Sequence, residues 1–452
     1  MKRIVPVFSF SIVAILAVAV APGANPAADG DNWPQWRGPQ ATGAAAGSNP
    51  PVEWSETKNV KWKVEIPGKG SSTPVIWGDK IFVLAAVPTG EAVKPPEAEE
   101  PGGAQEGPRR RGPRGVQPTH KQKFTVLAIS RTTGKMLWQT AVREELPHEG
   151  HHPTNTWASH SAITDGQNVY AFFGSRGLYC LNMNGKVKWE KDLGDQTTRL
   201  GFGEGSSPAL YRDRLIVLWD HQGDDFIVAL DKKTGKELWR TPREEDTSWS
   251  TPLVVEHGGK LQVITAATAA VRSYDFETGK LLWQGPPLTA NAIPSPVAAD
   301  GMVYAMAGFR GNALHAIRLG EAKGDIAGTD AIAWQYDRDT PYVPSPLLYQ
   351  GQLYMLKSNN GIVTAFEAKS GEKLYGPERL EAVPNVYASP TGAGGRVYIV
   401  GREGGAAVLQ AGPEFKVLAT NQLEDGFDAS PVVVGNELYL RGQKYLYRIS
   451  AD

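Results

Sequence analysis

The hydrophobic positions of this chain fall into eight similar segments. In each one a short polar residue precedes a proline or its counterpart, a brief apolar run follows, and a turn leads into an alternating run such as KIFVL at residues 80–84. Alternation predicts β-strands joined by tight hairpins. After a first interval of 87 residues the segments recur every 41–50 residues, which indicates a repeat architecture. The aligned positions are Pro74, Ser161, Pro208, Pro252, Pro296, Pro346, Pro390 and Pro431.

A second turn in each unit has its own signature. In five units a turn glycine lies four residues before a large aromatic residue, as in ALDKKTGKELW at residues 229–239. Trp334 reaches the same position after a longer turn, whereas the seventh unit, at residues 411–419, has no tryptophan. Each unit therefore reads as four strands, with the aromatic ring wedged between neighbouring sheets. The predicted docking residues are Trp62, Trp138, Trp189, Trp239, Trp283, Trp334 and Tyr375.

The repeat predicts the fold class. A single four-stranded sheet cannot bury both of its faces, whereas radial stacking covers both and ring closure removes the open ends. We therefore expect an all-β protein, an eight-bladed β-propeller of four-stranded antiparallel blades. The eighth unit ends after three strands, and residues 59–68, which include Trp62, precede the first unit. This N-terminal segment is expected to pair with residues 444–449 and to close the last blade.

Composition and termini set the expected organisation. The 452 residues carry a formal net charge of −1, which argues against a general nucleic-acid binder. Residues 1–28 have the basic start, short apolar core and small residues of a signal peptide, so we expect export to the periplasm or outside the cell, with no transmembrane span after its removal. An uncleaved membrane anchor is the alternative interpretation of the same segment. Residues 29–58 form a leader, and 59–452 form the propeller. Residues 88–122, rich in Pro, Gly and charge, are expected to be a disordered insertion. A monomer is expected.

One motif resembles a known family. The pattern at residues 229–239, from Ala229 through Thr234, Gly235 and Lys236 to Trp239, is similar to the tryptophan-docking repeat of quinoprotein-like eight-bladed propellers. That superfamily includes dehydrogenases that use pyrroloquinoline quinone (PQQ) and the BamB-like outer-membrane assembly factors. The resemblance covers roughly residues 59–452 and is specific for fold but weak for function. The opening NWPQWRGP, at residues 32–39, is similar to the leader of exported propellers of this kind.

Four of the eight histidines fall in one loop. Imidazoles that converge on one point can bind a metal ion, so His148, His151, His152 and His160 are candidate ligands. The four residues lie in a loop, and no helix is expected there to fix the geometry of their side chains. The competing interpretation is a polar rim loop in which these histidines and Asn155 bond to neighbouring backbone.

Other candidates come from loops that should meet around the central channel, where binding residues are commonly found. Three of them are aromatic residues at equivalent places before the repeat serine, which could line a ligand funnel or pack the strand ends. No catalytic motif of the G-x-S-x-G, H-E-x-x-H or C-x-x-C-H type is present. The loop-face candidates are Asn155, Trp157, Arg176, Trp249, Arg310, Tyr342, Tyr387 and Arg402.

Three functions stay open at this stage. The first is an exported, non-catalytic, BamB-like scaffold of the cell envelope that needs no cofactor and binds a protein partner or a polymer through its loop face. The second is a dehydrogenase with PQQ and calcium. The resemblance implies adjacent cysteines in such enzymes, and the single Cys180 cannot supply them. The third is a metal-assisted hydrolase or lyase that uses the His148–His160 loop.

Overall fold

The computed structural model describes residues 31–90, 92–93 and 115–451. The predicted signal peptide and residues 94–114 of the predicted insertion lie outside these ranges. Within them, secondary structure is almost entirely β, with two short 3₁₀ turns at Gly174–Arg176 and Arg199–Gly201. No helix in the described ranges has the length and apolar character needed to span a membrane.

The strands follow the predicted repeat. The leader contributes β1 (Ala44–Ala45), and the next segment contributes β2 (Val60–Glu65). Blade 1 contains β3 (Val75–Trp77), β4 (Lys80–Thr89), β5 (Lys121–Ser130) and β6 (Met136–Glu145). Blade 2 contains β7 (Ile163–Thr164), β8 (Asn168–Phe172), β9 (Leu178–Asn182) and β10 (Val187–Lys191). Blade 3 contains β11 (Ala209–Tyr211), β12 (Arg214–Trp219), β13 (Phe226–Asp231) and β14 (Glu237–Pro242). Blade 4 contains β15 (Leu253–His257), β16 (Lys260–Ala266), β17 (Val271–Asp275) and β18 (Leu281–Gln284).

The second half continues in the same order. Blade 5 contains β19 (Val297–Ala299), β20 (Met302–Ala307), β21 (Ala313–Arg318) and β23 (Ile332–Tyr336), and the connection from β21 to β23 carries the short β22 (Gly324–Asp325), which joins the sheet of blade 4. Blade 6 contains β24 (Leu347–Tyr349), β25 (Gln352–Leu356), β26 (Ile362–Glu367) and β27 (Lys373–Arg379). Blade 7 contains β28 (Thr391–Ala393), β29 (Arg396–Val400), β30 (Gly405–Gln410) and β31 (Val417–Gln422). Blade 8 contains β32 (Val432–Val434), β33 (Glu437–Arg441) and β34 (Tyr445–Ser450).

These strands form the predicted eight-bladed propeller. Within the described residues, each blade is a four-stranded antiparallel sheet, and β1 and β22 add a short parallel pair at the edge of blade 7 and of blade 4. The blade strands pair in chain order from the channel outwards. In blade 8 the outermost strand is β2, which pairs antiparallel with β34 in a register that joins Val64 to Leu446. The expectation that an N-terminal strand closes the ring is therefore confirmed. Strands β4 and β5 extend into both ends of the segment 88–122, where Thr89 pairs with Lys121.

Five of the predicted aromatic wedges share one geometry. In each, the indole N–H donates to a backbone carbonyl of the next blade, as from Trp189 to Lys232 O at 3.1 Å. The turn glycine of that next blade lies under the ring, because a Cβ on Gly235 would come 2.8 Å from the Trp189 ring. A side chain at this turn would therefore displace the indole. The five residues are Trp62, Trp138, Trp189, Trp239 and Trp334.

Two predicted wedges depart from this geometry. Trp283 bonds within its own blade, to Gln262 Oε1 at 3.1 Å, because blade 5 replaces the short turn with a longer one. That longer turn adds β22 in parallel beside β18 and covers Trp283, which is 1% exposed. Tyr375 packs against Phe415 with ring centroids 5.6 Å apart, but its hydroxyl has no hydrogen-bond partner within the described residues.

The leader supplies a wedge that the seventh blade lacks. The docking position of that blade is Ala419, which pairs with Val408 as Trp138 pairs with Ala128. Trp54 of the leader stacks on Tyr398 at 6.4 Å and is 4% exposed. Its backbone N–H donates to Asn421 Oδ1 at 2.8 Å, which ties the leader to β31.

Candidate functional site

The site begins with a ring of hydroxyl groups around the channel. In each blade the residue before the repeat proline accepts the backbone N–H of the equivalent residue in the neighbouring blade. Thr73, Ser161, Ser207, Thr251, Ser295, Ser345, Ser389 and Ser430 form the ring, here called the hydroxyl ring. The eight bonds span 2.7–3.1 Å. The ring therefore links all eight blades at their inner ends.

The hydroxyl ring corrects the alignment of the second repeat. The alignment of the eight repeats places Ser161 at the position that proline occupies in the other seven. In the structure Ser161 Oγ accepts from Thr73 N at 3.0 Å and so occupies the hydroxyl position, while Ala162 stands in the place of the proline. Ala162 is fully buried at this position.

Leader residues 32–49 close one end of the channel, the end where the hairpins between the first and second strands lie. Trp33 is 1% exposed and exchanges two backbone hydrogen bonds with Ile76 in blade 1. Further along the leader, Thr42 O accepts a hydrogen bond from Leu348 N in blade 6, and β1 pairs in parallel with β28 in blade 7. The leader therefore crosses the channel and seals this hairpin face.

Arg37 holds the leader in place. Its guanidinium donates to the carbonyls of Pro390 and Pro346, both at 2.7 Å, and to Thr42 O at 3.3 Å. The side chain is 2% exposed, and its burial lowers the pKa of Arg37 to about 9. A Cβ on Gly43 would come 2.2 Å from the guanidinium, so this approach requires glycine.

A cavity of about 430 Å³ lies on the other side of the leader and opens on the face formed by the loops between blades. Its floor is the Trp36 ring, whose Nε1 lies 3.4 Å from Ser430 Oγ. Six hydroxyl-ring members line it, all except Ser295 and Ser345. Its walls are mainly aromatic. The wall residues are Phe202, Trp249, Phe309, Tyr342 and Tyr387.

Several predicted loop-face residues meet at this cavity. Tyr342 stacks on Phe309 with ring centroids 4.6 Å apart, and Trp249 is fixed by a 2.6 Å bond from Nε1 to Gly203 O. Tyr387 also lines the cavity, under the guanidinium of Arg402, which lies 4.5 Å from the ring centroid. Arg310 is exposed at the rim, beside Phe309. The three aromatic residues singled out by the sequence thus share one pocket.

Arg402 pairs with a carboxylate that also lines the cavity. Its Nε donates to Asp428 Oδ1 at 2.6 Å, and Gln443 Nε2 lies 3.4 Å from Oδ2. Burial raises the pKa of Asp428, and the hydrogen bond from Arg402 opposes that effect. The pair places a polar edge beside the aromatic wall without a net charge.

Arg176, expected at the loop face, is instead buried between blades. It is 3% exposed, and its Nη1 donates to Glu204 Oε1 at 2.8 Å. Ser175 donates to both oxygens of the same carboxylate, from its backbone N–H and from its hydroxyl, each at 2.7 Å. Glu204 lines the cavity, but its charge is directed at this cluster. The role of Arg176 is therefore to neutralise a buried carboxylate.

Three of the four histidines of the loop bond to separate partners, whereas the buried Nδ1 of His160 has no hydrogen-bond partner within the described residues. His148 lies 2.8 Å from Gln196 O, and His151 Nδ1 lies 2.7 Å from His152 O. His152 Nδ1 lies 2.7 Å from Thr154 Oγ1, and its ring borders the cavity. Burial lowers the pKa of His160 to about 3. Among the residues that the structure describes, no group of three His, Cys, Asp or Glu side chains is placed to hold a metal ion.

The remaining loop residues support the cavity wall. Asn155 Nδ2 donates to Phe202 O at 2.9 Å and to Glu204 O at 3.2 Å. Trp157 donates to Glu149 O at 3.0 Å and contacts His151 edge-on at 4.4 Å, away from the main cavity. These bonds match the interpretation of a polar rim loop that bonds to neighbouring backbone.

Comparison with known proteins places the chain in a family. Its sequence matches the family described as outer membrane protein assembly factor BamB at residues 42–201, 122–284 and 223–452. The chain belongs to this family. It is a BamB-like, PQQ-repeat β-propeller, as the repeat motif indicated.

Individual relatives agree with this assignment. The outer membrane protein assembly factor BamB of Yersinia pestis is 24% identical over 351 residues, covering 71% of this chain and 78% of the relative. The crystal structure of BamB from Moraxella catarrhalis superposes with a TM-score of 0.56 at 13% identity, covering 86% of this chain and 99% of that one. A quinohemoprotein alcohol dehydrogenase from Comamonas testosteroni gives 0.62 at 11% identity, covering 93% and 81%. The two structural matches show a shared fold.

Proposed function

We propose that this protein is an exported scaffold of the cell envelope that binds a protein partner or a polymer through its loop face. The observation that carries the proposal is the aromatic cavity, which opens on the loop face and has the leader as its floor. Exposed aromatic surface in a concave site is typical of recognition sites, because it offers a large apolar area on rigid side chains.

The relatives support an envelope role. The Yersinia pestis relative carries the name outer membrane protein assembly factor, and its match spans most of both chains. We propose by this likeness that the present chain also serves assembly in the envelope, as a periplasmic or extracellular monomer. The predicted signal peptide at residues 1–28 is consistent with that location.

The dehydrogenase alternative has weaker support in the residues around the cavity. PQQ is a flat tricarboxylate, and its anionic groups need facing cations. The carboxylates that line the cavity are Glu204 and Asp428, and the nearby guanidiniums of Arg176 and Arg402 are already paired with them. Cys180 lies buried on β9, and burial raises the pKa of its thiol to about 12. These residues do not fit the cofactor.

A pair of photocrosslinking variants tests the proposed function. p-Benzoylphenylalanine replaces Arg310 on the loop face, and a matched variant carries it at Lys260, which is exposed in the hairpin of blade 4. Irradiation in the native envelope should produce adducts from position 310 and few from position 260. Equal adducts at both positions, or adducts from 260 alone, would contradict binding through the loop face.

A further inference from the structure

We infer that the loop-face cavity binds the terminal sugar ring of a neutral glycan. This inference rests on the proposed binding function of the same face and names its ligand class. It follows from the shape of the cavity, its walls, its floor and its charge.

The cavity is blind, so its ligand enters end-on. Trp36 closes the floor, and behind it Arg37 anchors the leader to the carbonyls of Pro346 and Pro390. A polymer cannot thread through the channel and can insert only its end. The volume of about 430 Å³ falls within the roughly 300–1,000 Å³ usual for small-ligand sites.

The walls suit a ring with flat apolar faces. The stacked pair of Tyr342 and Phe309 forms one wall, and Tyr387 forms another. Aromatic rings bury a large area against flat C–H surfaces. A pyranose ring presents such surfaces on its faces and hydroxyl groups around its edge.

The floor requires a ligand with many polar atoms. Within the described residues, each hydroxyl-ring oxygen accepts a backbone N–H and donates to no protein atom, as Ser207 and Ser389 illustrate. Six residues that carry such a hydroxyl group line the cavity. An apolar peptide side chain would bury these donors without partners, which costs about 1–3 kcal/mol for each unsatisfied group. The edge hydroxyls of a sugar would satisfy them.

The charge distribution favours a neutral ligand. Both carboxylates at the cavity are paired with arginine, Asp428 with Arg402 and Glu204 with Arg176. Among the described residues that line the cavity there is no arginine or lysine, so an anionic ligand would approach two carboxylates without a cation in the wall. A paired carboxylate still accepts hydrogen bonds, so Asp428 can receive a sugar hydroxyl.

The test uses the full-length purified protein and neutral oligosaccharides with hexose, deoxyhexose and N-acetylhexosamine ends. Tryptophan fluorescence should change saturably with at least one of them. Tyr342→Ala and Tyr387→Ala should each weaken that binding at least tenfold. Tyr336→Ala, on the outer strand β23, is the matched control and should leave it unchanged, and thermal unfolding checks that all three variants fold.

Several outcomes would overturn the inference. They are no binding across the neutral panel, stronger binding of anionic glycans or of an apolar peptide, and equal affinity in the cavity variants and the control. If the panel fails while photo-adducts still form from position 310, the sugar inference falls and the binding function stands. If both fail, both proposals fall.

Discussion

The two ends of the channel are built from the same eight repeats and yet differ completely. At the hairpin face the leader crosses the channel, and its Trp33 is 1% exposed. At the loop face the channel stays open as a cavity of about 430 Å³. The hydroxyl ring lies between them and joins every blade in the same way. The repeats thus supply a symmetric frame that by itself distinguishes neither end.

The difference between the two ends of the channel comes from segments outside the repeat. Trp36 and Trp54 belong to the leader, outside the repeat, and they close the floor and fill the seventh docking position. The cavity walls come from loops between repeats, whose lengths and sequences vary. Non-repeated segments therefore create a closed end and an open end on one scaffold.

Removing the leader together with β2 should have the largest effect. Deletion of residues 31–68 removes the closing strand and exposes the edge of β34, as well as the docking sites of Trp54 and Trp62. An open sheet edge promotes aggregation. We expect no cooperative unfolding and large assemblies by size-exclusion chromatography. A variant that begins at residue 31 is the control, and a stable monomer from the 31–68 deletion would contradict ring closure.

Truncating the leader's wedge should have the next largest effect. Trp54→Ala removes a buried indole that stacks on Tyr398, and substitutions of this type cost about 3–5 kcal/mol. Denaturant unfolding measures the loss, and Trp54→Phe should recover part of it. Because Trp54 lies away from the loop-face cavity, photo-adducts from position 310 should persist in the folded fraction. A loss below about 1 kcal/mol would show that the leader contributes little to blade packing.

The sequence predicts the repeated parts of the molecule well because they carry periodic signals. Eight units, four strands in each, and the closing strand with Trp62 all follow from spacing and alternation. Trp54 could not be found this way, since nothing in its local sequence indicates that it replaces the aromatic residue absent near Ala419. Trp54 lies outside the repeats, so the repeat spacing that indicates the other docking residues does not indicate it.

The candidate site was predicted in part. Trp249, Tyr342 and Tyr387 were found because they occupy equivalent places in different repeats, and the same signal in the residue before each proline could have revealed the hydroxyl ring. Phe202 and Phe309 lie in loops that follow no repeat pattern, so their convergence depends on tertiary structure. The burial of Arg176 depends on Glu204, which lies in the loop between blades 2 and 3.

The free energy of unfolding should also depend on pH, through His160 in the loop between blades 1 and 2. Burial lowers the pKa of His160 to about 3, with the charge of Arg176 adding to the effect. The folded state therefore binds fewer protons than the unfolded state between about pH 6.5 and pH 3, so stability falls as the pH falls through that window. At pH 5 the loss relative to pH 7 should be about 2 kcal/mol.

A difference measurement isolates that contribution. Burial raises the pKa of Asp225 to about 6, which stabilises the fold on acidification and opposes His160. Denaturant unfolding of wild-type protein and of His160→Asn at both pH values separates the two, because Asp225 is present in both proteins. A difference between the proteins that does not change with pH would mean that His160 titrates alike in the folded and unfolded states.

The smallest effect should come from a substitution in the hydroxyl ring, which lies between the two ends of the channel. Ser389→Ala removes the hydroxyl that accepts the Ser345 N–H, and this should cost about 1 kcal/mol in denaturant unfolding. The chain itself offers the matched control, because Thr73 and Thr251 already serve in the hydroxyl ring. Ser389→Thr should therefore keep most of the stability. If both variants lost the same amount, packing at this position rather than the hydroxyl bond would hold the neighbouring blades together.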